Sequence, residues 1–144
     1  GEQIEGRYLN VDNVFPKNHK IELMLQNYTS NQIKEAFQRL KWAYEMAKLV
    51  DKRKLIHLSL EPSWMTIKVS NDFIQYSALF VPYEGNESLE IVLNGEYLYN
   101  AFQLFKDAGT MMLKIQLNGK LDPVVLTDEE NEIDVIILPV RSSD

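Results

Sequence analysis

The sequence predicts an α+β fold made of two similar halves, and three observations lead there. One strand–helix–three-strand pattern occurs twice, each helix has a single apolar side, and most strands alternate apolar with polar residues. In the first half, residues 21–26 read as a strand, about 30–49 as a helix, and 55–60, 64–70 and 73–82 as three further strands. The pattern then restarts with a strand over 89–93, a helix over 95–107, and strands over 110–117, 124–126 and 133–140. Repetition of this kind implies two half-units related by a pseudo-twofold, with both helices packed on one side of antiparallel sheets.

On the first helix, Ile33, Ala36, Phe37, Leu40, Ala43, Tyr44 and Ala47 recur at the spacing of a buried stripe, and Ser30 or Asn31 is placed to cap the first turn. Lys34, Lys41 and Lys48 run seven apart along one flank, with Arg39 on the other. Such a row is either a solvated helix face or a line of phosphate contacts. Trp42 projects opposite the core with Met46 and Leu49 nearby, which suits a contact surface or a ring covered by the following loop. On the second helix, Leu98, Ala101, Phe102 and Phe105 face inward, and Leu104 is assigned to that apolar side. Glu96, Gln103, Lys106 and Asp107 face outward, a mixed surface with little net attraction for a polyanion.

The strand over 64–70 alternates Met65, Ile67 and Val69 with Trp64, Thr66 and Lys68, as a half-buried sheet requires. The last strand does not. Ile133, Val135 and Ile137 supply one apolar face, and Ile136, Leu138 and Val140 load the other. That second face needs cover, from a loop or from a peptide or domain docked in a groove.

The chain has 144 residues, 45% hydrophobic and 25% charged, which suits one domain with a real core. Its formal charge of −6 argues against indiscriminate coating of nucleic acid, and it has no cysteine, which fits a reducing compartment. No apolar run is long enough to cross a bilayer as a helix. His19 and His57 lack ligand spacing, and there is no HExxH, glycine-rich phosphate loop or GxSxG, so neither a metal nor a cofactor is expected. Asp128, Glu129, Glu130 and Glu132 lie in a probable hairpin turn and read as a solvated loop. Nothing assembles a nucleophile, base and oxyanion hole, so the chain is not expected to be an enzyme. Residues 1–15 read as a connecting strand from an upstream domain, and 16–144 as the domain itself.

Several ordered motifs carry a resemblance. Gly6-Arg7-Tyr8 leads to Val14-Phe15-Pro16-Lys17-Asn18, followed by Ile33 to Phe37 at the start of the first helix. Leu93-Asn94-Gly95-Glu96-Tyr97-Leu98, Met111-Met112-Leu113 and Ile136-Ile137-Leu138-Pro139-Val140-Arg141 complete the set. Together they resemble the third, C-terminal domain of the bacterial DNA polymerase III beta subunit, the replicative sliding clamp, over nearly the whole chain. The resemblance implies the DNA-clamp fold and, in the full-length protein, a homodimeric ring around double-stranded DNA. Such a ring is a processivity factor in the bacterial cytoplasm, at the nucleoid, without catalysis or membrane contact. It implies that Lys34, Arg39, Lys41 and Lys48 face DNA, and that Trp42 and Met46 lie near the subunit contact.

It also implies a pocket for short Gln-Leu-x-Leu-Phe-type peptides of polymerases and the clamp loader, half of it from the preceding domain. The matching positions are Leu9, Asn13, Val14, Asn94, Tyr97, Leu121, Pro123, Ile136, Ile137, Leu138, Pro139, Val140 and Arg141. Leu9 stands where many members carry proline and Asn13 where many carry arginine, which bears on peptide preference. Tail residues Ser142-Ser143-Asp144 run past Arg141, and with the longer stretch after the first helix they suggest a divergent member. The rival reading is a clamp-fold adaptor that binds partner peptides without encircling DNA.

Overall fold

The computed structural model describes residues 21–141. The first half comprises β1 (Ile21–Gln26), α1 (Gln32–Val50), β2 (Leu55–Glu61), β3 (Trp64–Ser70) and β4 (Gln75–Pro82). The second comprises β5 (Leu89–Asn94), α2 (Gly95–Asp107), β6 (Met112–Leu117), β7 (Val124–Asp128) and β8 (Ile133–Ile137). The expected connecting strand over 1–15 and His19 lie outside the described residues.

The strands form two antiparallel four-stranded sheets, ordered β1-β6-β7-β8 and β4-β3-β2-β5. Exchanging the halves maps one order onto the other, so the pseudo-twofold is present. The half-units are nevertheless not self-contained. Ile21 of β1 pairs with Leu117 of β6, and Leu89 of β5 pairs with Leu60 of β2, so each half lends its first strand to the other's sheet. Both helices and both sheets share one core, which includes Leu25, Leu40, Ile67, Phe80, Phe102 and Leu126.

Local chemistry sets the element ends. Asn31 occupies the N-cap of α1 without a side-chain bond, and Ser30 lies before it. The cap comes from further back: Asn27 Oδ1 accepts from the Ile33 N–H at 3.0 Å and the Lys34 N–H at 3.4 Å. At α2 the cap is adjacent, with Asn94 Oδ1 accepting from the Glu96 and Tyr97 N–H groups at 2.8 and 3.2 Å. Gly95 follows because a Cβ there would lie 2.7 Å from the Lys54 carbonyl oxygen, the acceptor of its own N–H. Gly109 at φ 68° closes α2 in the left-handed region.

Three strands are shorter than expected, while β2, β5 and β7 run one or two residues longer. β4 starts at Gln75 rather than at 73, because Asn71 Oδ1 accepts from the Phe73 and Ile74 N–H groups and bends the chain there. β6 starts at Met112 rather than at 110, since Thr110 turns inward to donate to Asp128. β8 ends at Ile137 rather than at 140: Pro139 has no N–H to continue a ladder, and the Val140 N–H donates instead to the Val92 carbonyl of β5 at 2.8 Å. The tail thus passes from the edge of one sheet to the edge of the other.

Candidate functional site

A groove of about 440 Å³ lies between α2 and β8. Burial of Leu98, Ala101, Phe102 and Phe105 fixes the rotation of α2, which brings Tyr97, Asn100 and Leu104 round to the groove beside Ala101. Val135, Ile136, Ile137 and Leu138 form the opposite wall. Among the described residues β8 pairs only with β7, and residues of both strand faces reach the same groove. Tyr97 is 62% exposed, Leu104 44% and Leu138 54%. An apolar trough with a phenol at its lip suits a short peptide carrying large apolar side chains.

Of the expected pocket residues, Tyr97, Ile136, Ile137 and Leu138 come together here. Asn94 stands at the head of α2 with its side-chain oxygen committed to the cap, and it does not line the groove. Leu121 is exposed on the loop after β6 and Pro123 is buried beside β7, and neither lines the groove. Pro139 and Val140 are half-buried beyond it, Arg141 is exposed, and Val140 is held through its backbone to β5. Leu9, Asn13 and Val14 lie outside the described residues.

One reading of side-chain direction needs correction. Leu104 is not on the core side of α2 but at the groove, because the buried stripe is completed by Ala101 and Phe105. On β8 Ile137 is buried and Ile133 and Val135 pack half-buried against the core, the core face that the sequence predicts. Asn100, Ala101, Leu104 and Val135 were missed as groove residues. The spacing Tyr97, Ala101, Leu104 was the available signal, since those positions share a helix face.

The basic residues of α1 divide. Lys34 and Lys41 are exposed on one flank, and Lys106 of α2 joins them with its Nζ 5.5 Å from the centre of the Phe37 ring. Lys48 is instead paired with Glu45 at 3.1 Å and lies over Tyr44. Arg39 is on the opposite flank, half-buried, donating to the Phe80 carbonyl at 3.4 Å. Trp42 stays 54% exposed, so the loop after α1 does not cover it; Leu49 is 81% exposed and Met46 half-buried.

The acidic turn also divides. Glu129 and Glu130 are exposed, but Asp128 is fully buried and not part of a solvated loop. Its carboxylate accepts from the Thr110 hydroxyl at 2.5 Å, Asn131 Nδ2 at 2.7 Å and the Asn131 N–H at 3.1 Å. Burial pushes the carboxyl pKa up, but hydrogen bonds from Asn131, Thr110 and the Glu130 backbone outweigh it and hold the group below its ordinary value. The Asn131 amide also reaches the Ala108 carbonyl at 3.5 Å, tying the β7–β8 turn to the end of α2. Among the described residues, no cluster of three or more His, Cys, Asp or Glu is placed to hold a metal ion, and no helix is long and apolar enough to cross a membrane.

This arrangement of exchanged half-units, paired helices and an open edge groove is the sliding-clamp fold. Its solved neighbours are bacterial clamps. The DNA polymerase III beta chain of Streptococcus pneumoniae superimposes with a TM-score of 0.75 at 16% identity, covering 94% of this chain and 34% of that one. The DNA polymerase sliding clamp of Bacillus subtilis gives 0.73 at 20% identity over 94% of this chain and 34% of its own. The DNA polymerase III beta subunit of Thermotoga maritima gives 0.74 at 15% identity over 93% and 34%. The chain therefore spans about a third of the length of these neighbours. No family model matches the sequence, and no curated protein matches it.

Proposed function

We propose that the chain is the third, C-terminal domain of a DNA sliding clamp, a non-catalytic processivity factor that docks partner peptides and helps to encircle double-stranded DNA. The observation that carries this reading is the α2–β8 groove, an apolar trough beside an edge strand with Tyr97 at its lip. In this reading the groove takes Gln-Leu-x-Leu-Phe-type peptides of polymerase and clamp loader, and Asn94 and Arg141 supply polar contacts at its ends. Residues Leu9, Asn13 and Val14 belong to the same pocket in this reading. Lys34 and Lys41 face the duplex, Trp42 and Met46 contact a second subunit, and the full-length protein is a homodimeric ring at the bacterial nucleoid.

Burial of an apolar side chain such as Leu or Phe is worth about 1.5–3 kcal/mol, and association itself costs at least about 4 kcal/mol. Two such anchors in half a pocket therefore leave at most about 2 kcal/mol, a Kd no tighter than tens of millimolar. Titration of the isotope-labelled chain with a Gln-Leu-x-Leu-Phe peptide tests this. Amide shifts centred on Tyr97, Leu104 and residues 136–138 are expected; shifts elsewhere, or none with the preceding domain attached, overturn the assignment.

A second reading has its own support. Lys48 is neutralised by Glu45 and Arg39 lies off the row, so the duplex-facing charge is smaller than the sequence suggests. A clamp-fold adaptor that binds peptides without encircling DNA needs no more. Retention of the complete protein on closed circular DNA, with loss on linearisation, favours the ring; peptide binding without retention favours the adaptor.

A further inference from the structure

A second cavity, of about 330 Å³, opens between α1 and α2 on the side away from the peptide groove. Its floor is apolar, formed by Ile33, Phe37, Phe102 and Met111. Three lysines, Lys34, Lys41 and Lys106, also line it, Lys106 with its Nζ over the Phe37 ring. The lining contains no carboxylate, and among the described residues none of these lysines has an ion-pair partner, whereas Lys48, Lys54 and Lys114 do. In a chain with a formal charge of −6 this is a marked local reversal of sign. The amides of Asn27 and Gln38 stand at the rim, and Gly109 leaves open space where a side chain would project.

Charge and floor together define the ligand. Inorganic phosphate satisfies the lysines but leaves the apolar floor wet. A duplex presents phosphates outward and keeps its bases stacked inside, so it also has nothing to lay on that floor. A nucleotide with an accessible base satisfies both. We propose that the inter-helix cleft is a binding site for an unpaired nucleotide, the base on the Ile33–Phe37–Phe102–Met111 floor and the phosphates between Lys34, Lys41 and Lys106. The volume falls in the range of small-ligand sites, about 300–1,000 Å³.

The test uses the whole chain with four probes: inorganic phosphate, thymidine 5′-monophosphate, a five-residue oligothymidylate and a blunt duplex, each followed by backbone amide shifts. Shifts at Gly109, Thr110, Met111 and Phe37 with both thymidine probes, and not with phosphate or duplex, are expected. A response to the monophosphate as tight as to the oligomer identifies a free nucleotide as the occupant; tighter oligomer binding identifies a strand. For the oligomer, three phosphate contacts give a log–log salt slope of about −2, and Lys106→Gln reduces it by about 0.7. Equal shifts from phosphate alone, or duplex binding as tight as that of the oligomer, overturn the proposal. Neither result touches peptide docking in the α2–β8 groove, and tight duplex binding would support the duplex-facing role proposed for Lys34 and Lys41 while overturning this site, so the two readings fail separately.

Discussion

At the end of β4, Phe80 and Val81 are buried beneath α1, and Arg39 reaches across to the Phe80 carbonyl. At the matching end of β8, Leu138 is exposed and α2 leaves a groove. The two halves share a topology and even a tether, since Asn71 reaches the Val50 carbonyl at the end of α1 as Asn131 reaches Ala108 at the end of α2. They differ in what fills the space between helix and edge strand. One half fills it with buried side chains and the other leaves it open, so the candidate site is a local departure from an otherwise repeated plan.

The comparison is broken most severely at Asp128, which holds the turn that sets β8 against α2. Asp128→Ala leaves the buried Thr110 hydroxyl unpaired and removes the acceptor of the exposed Asn131 donors, and a loss of about 1–3 kcal/mol in urea unfolding is expected. Because the Asp128 carboxyl is held below its ordinary value, its contribution is fully present above the unfolded pKa, about 3.9, and is lost as pH falls through the lower folded value. The stability gap between the parent and Asp128→Asn should therefore narrow in acid below about pH 4. A constant gap down to pH 2 would mean that the carboxylate is not what the turn depends on.

A smaller effect is expected in the groove itself. Leu138→Asp places a charge on the apolar wall and should weaken peptide binding by roughly tenfold or more, with Tyr97→Ala less damaging and the circular dichroism of both unchanged. Unchanged affinity in both variants would remove the groove from the peptide site. Across the molecule, Lys34→Glu with Lys41→Glu should shorten retention of the full-length protein on DNA and leave peptide affinity intact. The reverse pattern would exchange the roles of the two surfaces. The smallest change lies in the closed half, where the Tyr76 hydroxyl is buried with no hydrogen-bond partner among the described residues. Tyr76→Phe should be neutral or stabilise by up to about 1 kcal/mol in thermal unfolding.

The elements were legible because periodicity is local: a stripe such as Ile33, Ala36, Leu40, Ala43 and Ala47 needs no knowledge of its partner. Pairing was not legible in the same way. That β1 joins β6 rather than its own half depends on contacts far apart in sequence, and no window of residues reports it. The start of β4 was missed because Asn71 acts through its side chain on the next turn, and Asp128 was read as solvated because it sits in an acidic run. The groove was half legible. The apolar load on both faces of β8 pointed to it, but Leu104 was hidden by its fit to a generous apolar stripe, and Leu121 and Pro123 were placed by resemblance without help from side-chain direction.

The lent strands have a consequence for how the molecule is made. During synthesis β1 emerges first, yet its partner β6 emerges only after some ninety further residues, as the pairing of Ile21 with Leu117 requires. The first half cannot close its own sheet in the meantime, because β2 awaits β5. Closing so long a loop before any contact rewards it slows folding. The chain should therefore gain its native form as one late event, and a ribosome stalled between β4 and β5 should hold an aggregation-prone intermediate rather than a finished half.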